Sequence, residues 1–144
     1  MRKLLTLGVV LGVLVAGMAV WSAAVPAADA PATGKVYELR IYKTNPGKLP
    51  ALHARFRDHT CPMFKKHGIE VVGFWTLTAT GNEPEDTLYY IVAFPSLEVQ
   101  KQAWQAFKTD PEWIKAKADS EKDGVLVKEV QSKNLKATDY SPIH

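Results

Sequence analysis

The 144-residue chain has very little of what most enzyme and cofactor motifs require. Its only cysteine is Cys61, which excludes an intrachain disulfide and any motif built from paired cysteines. We find no glycine-rich phosphate loop, no GxSxG nucleophile motif and no pair of acids in the setting of a glycosidase. A lone cysteine inside a domain is more typical of a small buried hydrophobe than of a nucleophile. From these absences we expect no metal site and no cofactor.

The chain also lacks a strong excess of charge of either sign. Its formal net charge is +3, and Arg2 and Lys3 account for two of the 18 basic residues, so the remaining 16 nearly balance the 15 acidic ones. No basic stripe with interleaved aromatic residues is present, so nucleic acid is not an expected partner. A hydrophobic content of 47% predicts one folded domain with a core rather than a disordered chain.

Residues 1–27 have the three parts of a secretory leader. Arg2 and Lys3 precede an apolar run over residues 4–21, and small residues follow it. We therefore expect export, to the periplasm or outside the cell, with cleavage after Ala27 and an unstructured linker over residues 28–35. The apolar run is close to the length that spans a bilayer, so an uncleaved N-terminal anchor is the alternative, and the only expected route to a membrane.

Four segments of the remaining chain have the pattern of β-strands. Residues 36–42 alternate between apolar and polar side chains, and residues 69–77, 87–94 and 125–135 are rich in β-branched or aromatic residues. A polar hairpin loop over residues 79–86 joins the second segment to the third. Both of these segments are apolar on both faces, which indicates that both faces of the sheet are covered.

The first helix is predicted from about Lys48, with Pro50 in its first turn, to a glycine cap at Gly68. Pro62 inside this helix removes a hydrogen bond, so we expect either a kink or a restart with Thr60 as the N-cap.

The second helix is predicted to begin with Ser96 as its N-cap and to turn Val99, Ala103 and Phe107 inward. Asp110, followed by proline, is expected to cap a further helical segment.

The order strand, helix, strand, strand, helix, strand predicts an α+β, ferredoxin-like βαββαβ fold, with a four-stranded antiparallel sheet and helices on one face. Helices can cover only one face of such a sheet. Because the central strands are apolar on both faces, we expect a second copy of the chain to cover the other face, which predicts a homodimer.

Several segments also resemble a known family. The segments YELRIY with PGK, RFRDHTCPMFKKHGIEVVGFW, and YYIVAF followed by AWQAFKTDPEW are similar in order and spacing to the NIPSNAP family, over residues 36–142. The resemblance implies the dimeric α+β barrel superfamily, and so a ferredoxin-like fold and a dimer. The family has no settled activity. The superfamily also includes cofactor-free monooxygenases and haem proteins, which place their ligand between helices and sheet.

His59 is the candidate catalytic residue. With Leu52, Phe56 and Met63 it recurs at spacings of three and four, which predicts that the imidazole lies in an apolar stripe facing the sheet. An imidazole held there could accept or donate a proton, although a structural histidine would show the same pattern. The charged residues around it are expected to form a solvated face: Arg55, Arg57 and Asp58.

The candidate ligand-binding residues are Tyr37, Arg40, Trp75 and Tyr90. The aromatic side chains could line a ligand pocket, although packing in the core or at a dimer interface explains them equally well. Glu38 and Arg40 share one strand face. At a dimer interface they would pair with the other copy, whereas in a cavity Arg40 would recognise a carboxylate.

Two functions fit these residues. The first is a non-catalytic homodimer that binds a partner or a small molecule, in particular a hydrophobic or aromatic one. The second is a cofactor-free monooxygenase or isomerase that acts on an aromatic or quinone-like molecule, with His59 as proton shuttle. A cavity of a few hundred cubic ångström that opens beside His59 would favour the second function, and a filled core there would favour the first.

Overall fold

The computed structural model describes residues 34–78 and 86–143, and it confirms the predicted order of elements within them. The strands and α-helices of this described part are β1 (Val36–Thr44), α1 (Leu49–Arg55), α2 (Cys61–Lys66), β2 (Glu70–Trp75), β3 (Thr87–Phe94), α3 (Leu97–Thr109), α4 (Pro111–Ser120) and β4 (Val127–Lys136). A π-helical turn, Phe56–Thr60, joins α1 to α2. The predicted leader, most of the linker and nearly all of the hairpin loop lie outside the described residues and stay predictions.

The strands form one antiparallel sheet in the order β2-β3-β1-β4. Side-chain contacts place the helices on one face of it. Phe56 and Phe64 both pack against Tyr90 of β3, and Trp104 of α3 donates a hydrogen bond to Glu38 of β1. The architecture is the predicted ferredoxin-like βαββαβ fold.

Alternation along β1 separates the two faces of the sheet. Glu38, Arg40 and Tyr42 contact residues of the helices, so Leu39 and Ile41 between them face the opposite side. The sequence leaves open whether Glu38 and Arg40 face a dimer interface or a cavity. In the structure both lie on the side of the sheet that the helices cover.

The π-helical turn shows that the predicted orientation of His59 is wrong. Such a turn holds one more residue than an α-helical turn, so it shifts the helical phase of everything that follows. The inward position between Phe56 and Met63 is therefore occupied by Thr60, which is 2% exposed, while His59 is exposed. The hydroxyl of Thr60 donates to the carbonyl oxygen of Arg55 at 3.3 Å.

Pro62 explains why the helix changes at this point. It lies in the first turn of α2, where its missing N–H removes no helical hydrogen bond. Thr60 stands just before α2, as predicted, but its backbone stays helical and its side chain does not cap the helix. The chain therefore passes through a π turn instead of breaking. Gly68 follows α2 with a φ of 69°, the left-handed conformation expected of a glycine cap.

The caps of α3 and α4 are confirmed. The hydroxyl of Ser96 accepts from the N–H of Val99 at 3.2 Å, and the carboxylate of Asp110 accepts from the N–H of Glu112 at 2.8 Å. The predicted inward position of Val99 is wrong, because Gln100 turns inward instead and donates to a buried carboxylate. The buried residues of α3 are Gln100, Ala103, Trp104 and Phe107.

The sheet face opposite the helices is apolar at its centre. By strand alternation and register, Leu39 and Ile41 of β1 lie there beside Tyr89 and Ile91 of β3, and all four are partly exposed. Trp75 of β2 lies on the same face and is 51% exposed. In residues 34–78 and 86–143, no helix combines the length and the apolar composition needed to cross a membrane.

Candidate functional site

Among the described residues, Glu38 has the only buried carboxylate, and it lies on the helix-facing side of the sheet. It is 3% exposed and accepts hydrogen bonds from Ser132 at 2.5 Å, from Trp104 and Gln100 at 2.6 Å each, and from Arg40 at 2.7 Å. The donors belong to β1, α3 and β4. The carboxylate therefore ties the sheet to the helix that crosses it.

Two opposing influences set the pKa of Glu38. Burial is the largest and raises the pKa, because a charged carboxylate is poorly solvated there. Hydrogen bonds from Ser132, Trp104 and Arg40, together with the positive charge of Arg40, act in the other direction, and the pKa of Glu38 falls below its ordinary value. Glu38 is thus ionised at neutral pH, where it acts as a fixed charge.

Arg40 extends this network across the sheet. Its Nε donates to the hydroxyl of Tyr90 at 2.8 Å, and its Nη2 donates to the hydroxyl of Tyr42 at 3.1 Å. Its Nη1 binds Glu38, and the guanidinium carbon lies 4.6 Å from the ring centroid of Trp104. All three nitrogens of Arg40 are therefore engaged by side chains of the protein.

A cavity of about 740 Å³ opens beside this network, between the sheet and the helices α3 and α4. The sheet contributes Arg40, Tyr42 and two valines of β4, while the helices contribute aromatic side chains and lysines. Phe107 and Trp113 stack inside it, with ring centroids 4.4 Å apart. Its lining residues are Arg40, Tyr42, Arg55, Trp104, Phe107, Lys108, Trp113, Ile114, Lys117, Ala118, Glu121, Val125, Val127 and Val130.

Arg55 also lines this cavity, although the sequence predicted it to be solvated, and that prediction is wrong. The residue is 4% exposed, and its Nη1 donates to Glu121 at 3.0 Å and to Ser120 at 3.3 Å. Its guanidinium carbon lies 5.5 Å from the ring centroid of Trp113. The available sequence signal was its position three residues after the buried Leu52, at the edge of the apolar stripe.

The structure brings together only two of the four predicted ligand-binding residues. Arg40 and Tyr90 are hydrogen-bonded on the helix-facing side, and Arg40 reaches the cavity. Tyr37 and Trp75 belong to the opposite face of the sheet, because each lies at an alternate position of its strand. The four residues therefore do not form one pocket.

His59 borders a shallow groove of about 320 Å³ on the helical side of the domain. Asp58, Arg55 and Ser120 also line this groove, and the imidazole is exposed. An exposed ring lacks the dry surroundings expected of a proton shuttle in this fold.

Cys61 is partly buried, and burial raises the pKa of its thiol. A raised pKa disfavours the thiolate, the reactive form, so the structure fits the interpretation of Cys61 as a packing residue. Among the described residues, no cluster of three or more histidine, cysteine, aspartate or glutamate side chains is placed to hold a metal ion.

Three solved structures with similar folds come from bacteria. A NIPSNAP family protein of unknown function from Agrobacterium tumefaciens is 25% identical, with a TM-score of 0.67, and the match covers 78% of this chain and 96% of that one. A second NIPSNAP family protein from the same organism is 20% identical, with a TM-score of 0.66, over 76% of this chain and 99% of that one. An uncharacterised NIPSNAP-like domain protein from Burkholderia xenovorans is 18% identical, with a TM-score of 0.64, over 76% and 90%. No curated protein matches this chain significantly.

The sequence profile of the NIPSNAP family matches residues 37–142. This span is more than half of the chain, and it includes all the described helices and all the described strands apart from the first residue of β1. The chain therefore belongs to the NIPSNAP family.

Proposed function

We propose that this NIPSNAP domain is a non-catalytic, ligand-binding homodimer whose ligand is a small molecule with an apolar, aromatic body. The observation that carries the proposal is the cavity of about 740 Å³ between the sheet and helices α3 and α4. Pockets for small molecules commonly have volumes of roughly 300–1,000 Å³ and apolar, aromatic walls with a few polar groups. The cavity has both properties.

The walls favour a flat ring system. Trp104, Phe107 and Trp113 all line the cavity, and Trp113 belongs to the short helix α4. Aromatic side chains of this kind bind ring systems by offset stacking and by edge-to-face contacts. The monooxygenase or isomerase alternative needs His59 as a proton shuttle in dry surroundings. A groove of about 320 Å³ does lie beside His59, but it is shallow and the imidazole is exposed, so we do not propose this alternative.

A neutral fluorescent probe tests the binding site. N-phenyl-1-naphthylamine emits strongly only in apolar surroundings, and we expect saturable binding to the purified protein. Ala118→Phe places a ring at the lining of the cavity and should weaken binding at least tenfold. Ala106→Phe is the matched control, because Ala106 is exposed on α3 outside the cavity, and it should bind as the wild type does. Absence of saturable binding, or equal affinity in the Ala118→Phe variant, would contradict the proposal.

The dimer part of the proposal concerns the apolar sheet face. Its centre is formed by Leu39, Ile41 and Ile91, while Glu70 of β2 and Lys133 of β4 lie at its two edges by register. A two-fold axis parallel to the strands would place β2 of one copy over β4 of the other, which brings Glu70 near Lys133 of the second copy; within its own copy Glu70 pairs with Lys35 at 2.9 Å. An apolar centre with a polar rim is the usual anatomy of a self-associating surface.

Light scattering tests the dimer. Ile91→Glu places a charge at the centre of this face and should convert a dimer to a folded monomer. Leu97→Glu is the control, since Leu97 is 58% exposed at the start of α3, and it should leave the mass unchanged. A monomeric wild type at micromolar concentration would refute the proposed dimer.

A further inference from the structure

We propose that the ligand of the cavity carries a carboxylate, and that Arg55 binds it through the Nε and Nη2 edge of its guanidinium. This inference rests on the proposed ligand-binding function and adds the chemical class of the ligand. It begins from an unpaired group: the Nε of Arg55 is buried and has no hydrogen-bond acceptor among the described residues. A buried donor without a partner is rare in folded proteins, because it loses its bond to water and gains nothing.

The geometry of the arginine defines what would satisfy it. Ser120 and Glu121 both accept from Nη1. In a planar guanidinium, Nε and Nη2 share the edge that faces away from Nη1, and their N–H groups point in parallel. This edge matches the two oxygens of a carboxylate, which can accept both hydrogen bonds at once.

Arg40 is not the equivalent site, although it lines the same cavity. Its Nε, Nη1 and Nη2 each already donate to a side chain of the protein, and its charge is balanced by the buried Glu38. Arg55 is paired with Glu121 through one nitrogen only. The carboxylate recognition that the sequence suggested for Arg40 therefore belongs to Arg55.

The charges around the cavity favour an anion as well. Four of its lining residues are basic, Arg40, Arg55, Lys108 and Lys117, whereas Glu121 is the only acidic one in the described lining. Neither lysine forms an ion pair within the described part of the chain, so their charges stay available at the cavity. Counting Glu38 behind Arg40 as a second acid still leaves an excess of positive charge.

Two probes that share one ring system but differ in charge test this inference. The carboxylate 2-naphthoate and the neutral 2-naphthamide have the same ring system, and their affinities can be compared by displacement of N-phenyl-1-naphthylamine. We expect the wild type to bind naphthoate at least tenfold more tightly. In Arg55→Gln this preference should disappear, and in Arg55→Lys, which keeps the charge but loses the planar edge, it should fall severalfold. Arg57→Gln, exposed on the π turn, is the control and should keep the full preference.

The wild-type comparison needs no variant, so it decides the question even if a substitution at Arg55 prevents folding. If the neutral fluorescent probe binds but naphthoate and naphthamide compete equally, the inference is overturned and the proposed binding function stands. If folded Arg55→Gln keeps the preference for naphthoate, another group holds the carboxylate and the assignment to Arg55 is overturned. If the neutral fluorescent probe does not bind at all, the proposed function itself fails, and the inference fails with it.

Discussion

Glu38→Gln should destabilise the domain strongly, although it changes the side-chain volume very little. Glutamine keeps one acceptor oxygen but loses the charge, turns an NH₂ group toward a donor and leaves Arg40 without its partner. Hydrogen bonds to charged groups contribute about 1.5–3 kcal/mol each, and breaking one partner of a buried ion pair costs about 3–5 kcal/mol. We therefore expect a loss of about 3–5 kcal/mol, a large share of the roughly 5–15 kcal/mol that stabilises a typical domain.

Urea unfolding followed by tryptophan fluorescence at neutral pH measures this loss as a shift of the midpoint at unchanged slope. Glu129→Gln is the matched control. Its carboxylate is exposed on β4 and pairs with Lys43 at 3.1 Å, so we expect no measurable change.

The effect should also depend on pH in a defined direction. The pKa of Glu38 is lowered in the folded state, so its contribution is fully present above the ordinary pKa of 4.5 and is lost as the pH falls below that value. The difference between wild type and Glu38→Gln should therefore shrink from about pH 5 to about pH 3. A loss below about 1 kcal/mol at neutral pH, or a difference that does not change with pH, would refute this account of the network.

Two further predictions concern the ends of helices. Gly68→Ala should lower the free energy of unfolding by about 1–2 kcal/mol, because φ at this residue is 69° and a side chain disfavours that conformation. Chemical denaturation measures this loss. Gly34→Ala is the control, since this glycine has no positive φ, and it should not change the stability measurably. Ser96→Ala should lower stability by about 1 kcal/mol through loss of the cap on α3, while Ser96→Asp should retain it; equal melting temperatures for the alanine and aspartate variants would contradict the capping role.

The features that the sequence predicted correctly depend on neighbouring residues. Ser96 and Asp110 cap their helices through atoms two or three residues away, and Gly68 ends α2 through its own backbone. Alternation along β1 needs only the pleat of a strand. Such local rules hold before any tertiary contact is known, so the order of elements and the fold class followed from them.

The predicted orientation of His59 is wrong for a physical reason. A period of 3.6 residues assumes an uninterrupted α-helix, and one added residue rotates the next position by about 100°. Pro62 signalled a disturbance, but sequence alone could not distinguish a kink, a break or a π turn. The one residue that the π turn adds is the reason why Thr60, and not His59, lies on the buried face.

The candidate site depended on contacts between distant parts of the chain. Arg55 is buried because Glu121 and Trp113, which follow it by more than fifty residues, approach it in space. Alternation along β1 already separates Tyr37 from Arg40, but the sequence does not give the register of β2, so it could not show that Trp75 shares the face of Tyr37, nor which face the helices cover. The sequence showed which charged and aromatic side chains are present, but not which of them lie together in the fold.

The bond between Glu38 and Ser132 has a consequence for the dynamics of β4. An edge strand usually frays early, and its amide hydrogens exchange with solvent through small local openings. Here, detaching β4 around Ser132 would remove one of the four hydrogen-bond donors of the buried Glu38 carboxylate. Two of the other donors belong to α3. Opening of the edge is thereby coupled to loosening of a helix on the far side of the core. In hydrogen exchange, the middle of β4 should behave as part of the slowest cooperative unit, although one side of the strand has no neighbour in the described sheet.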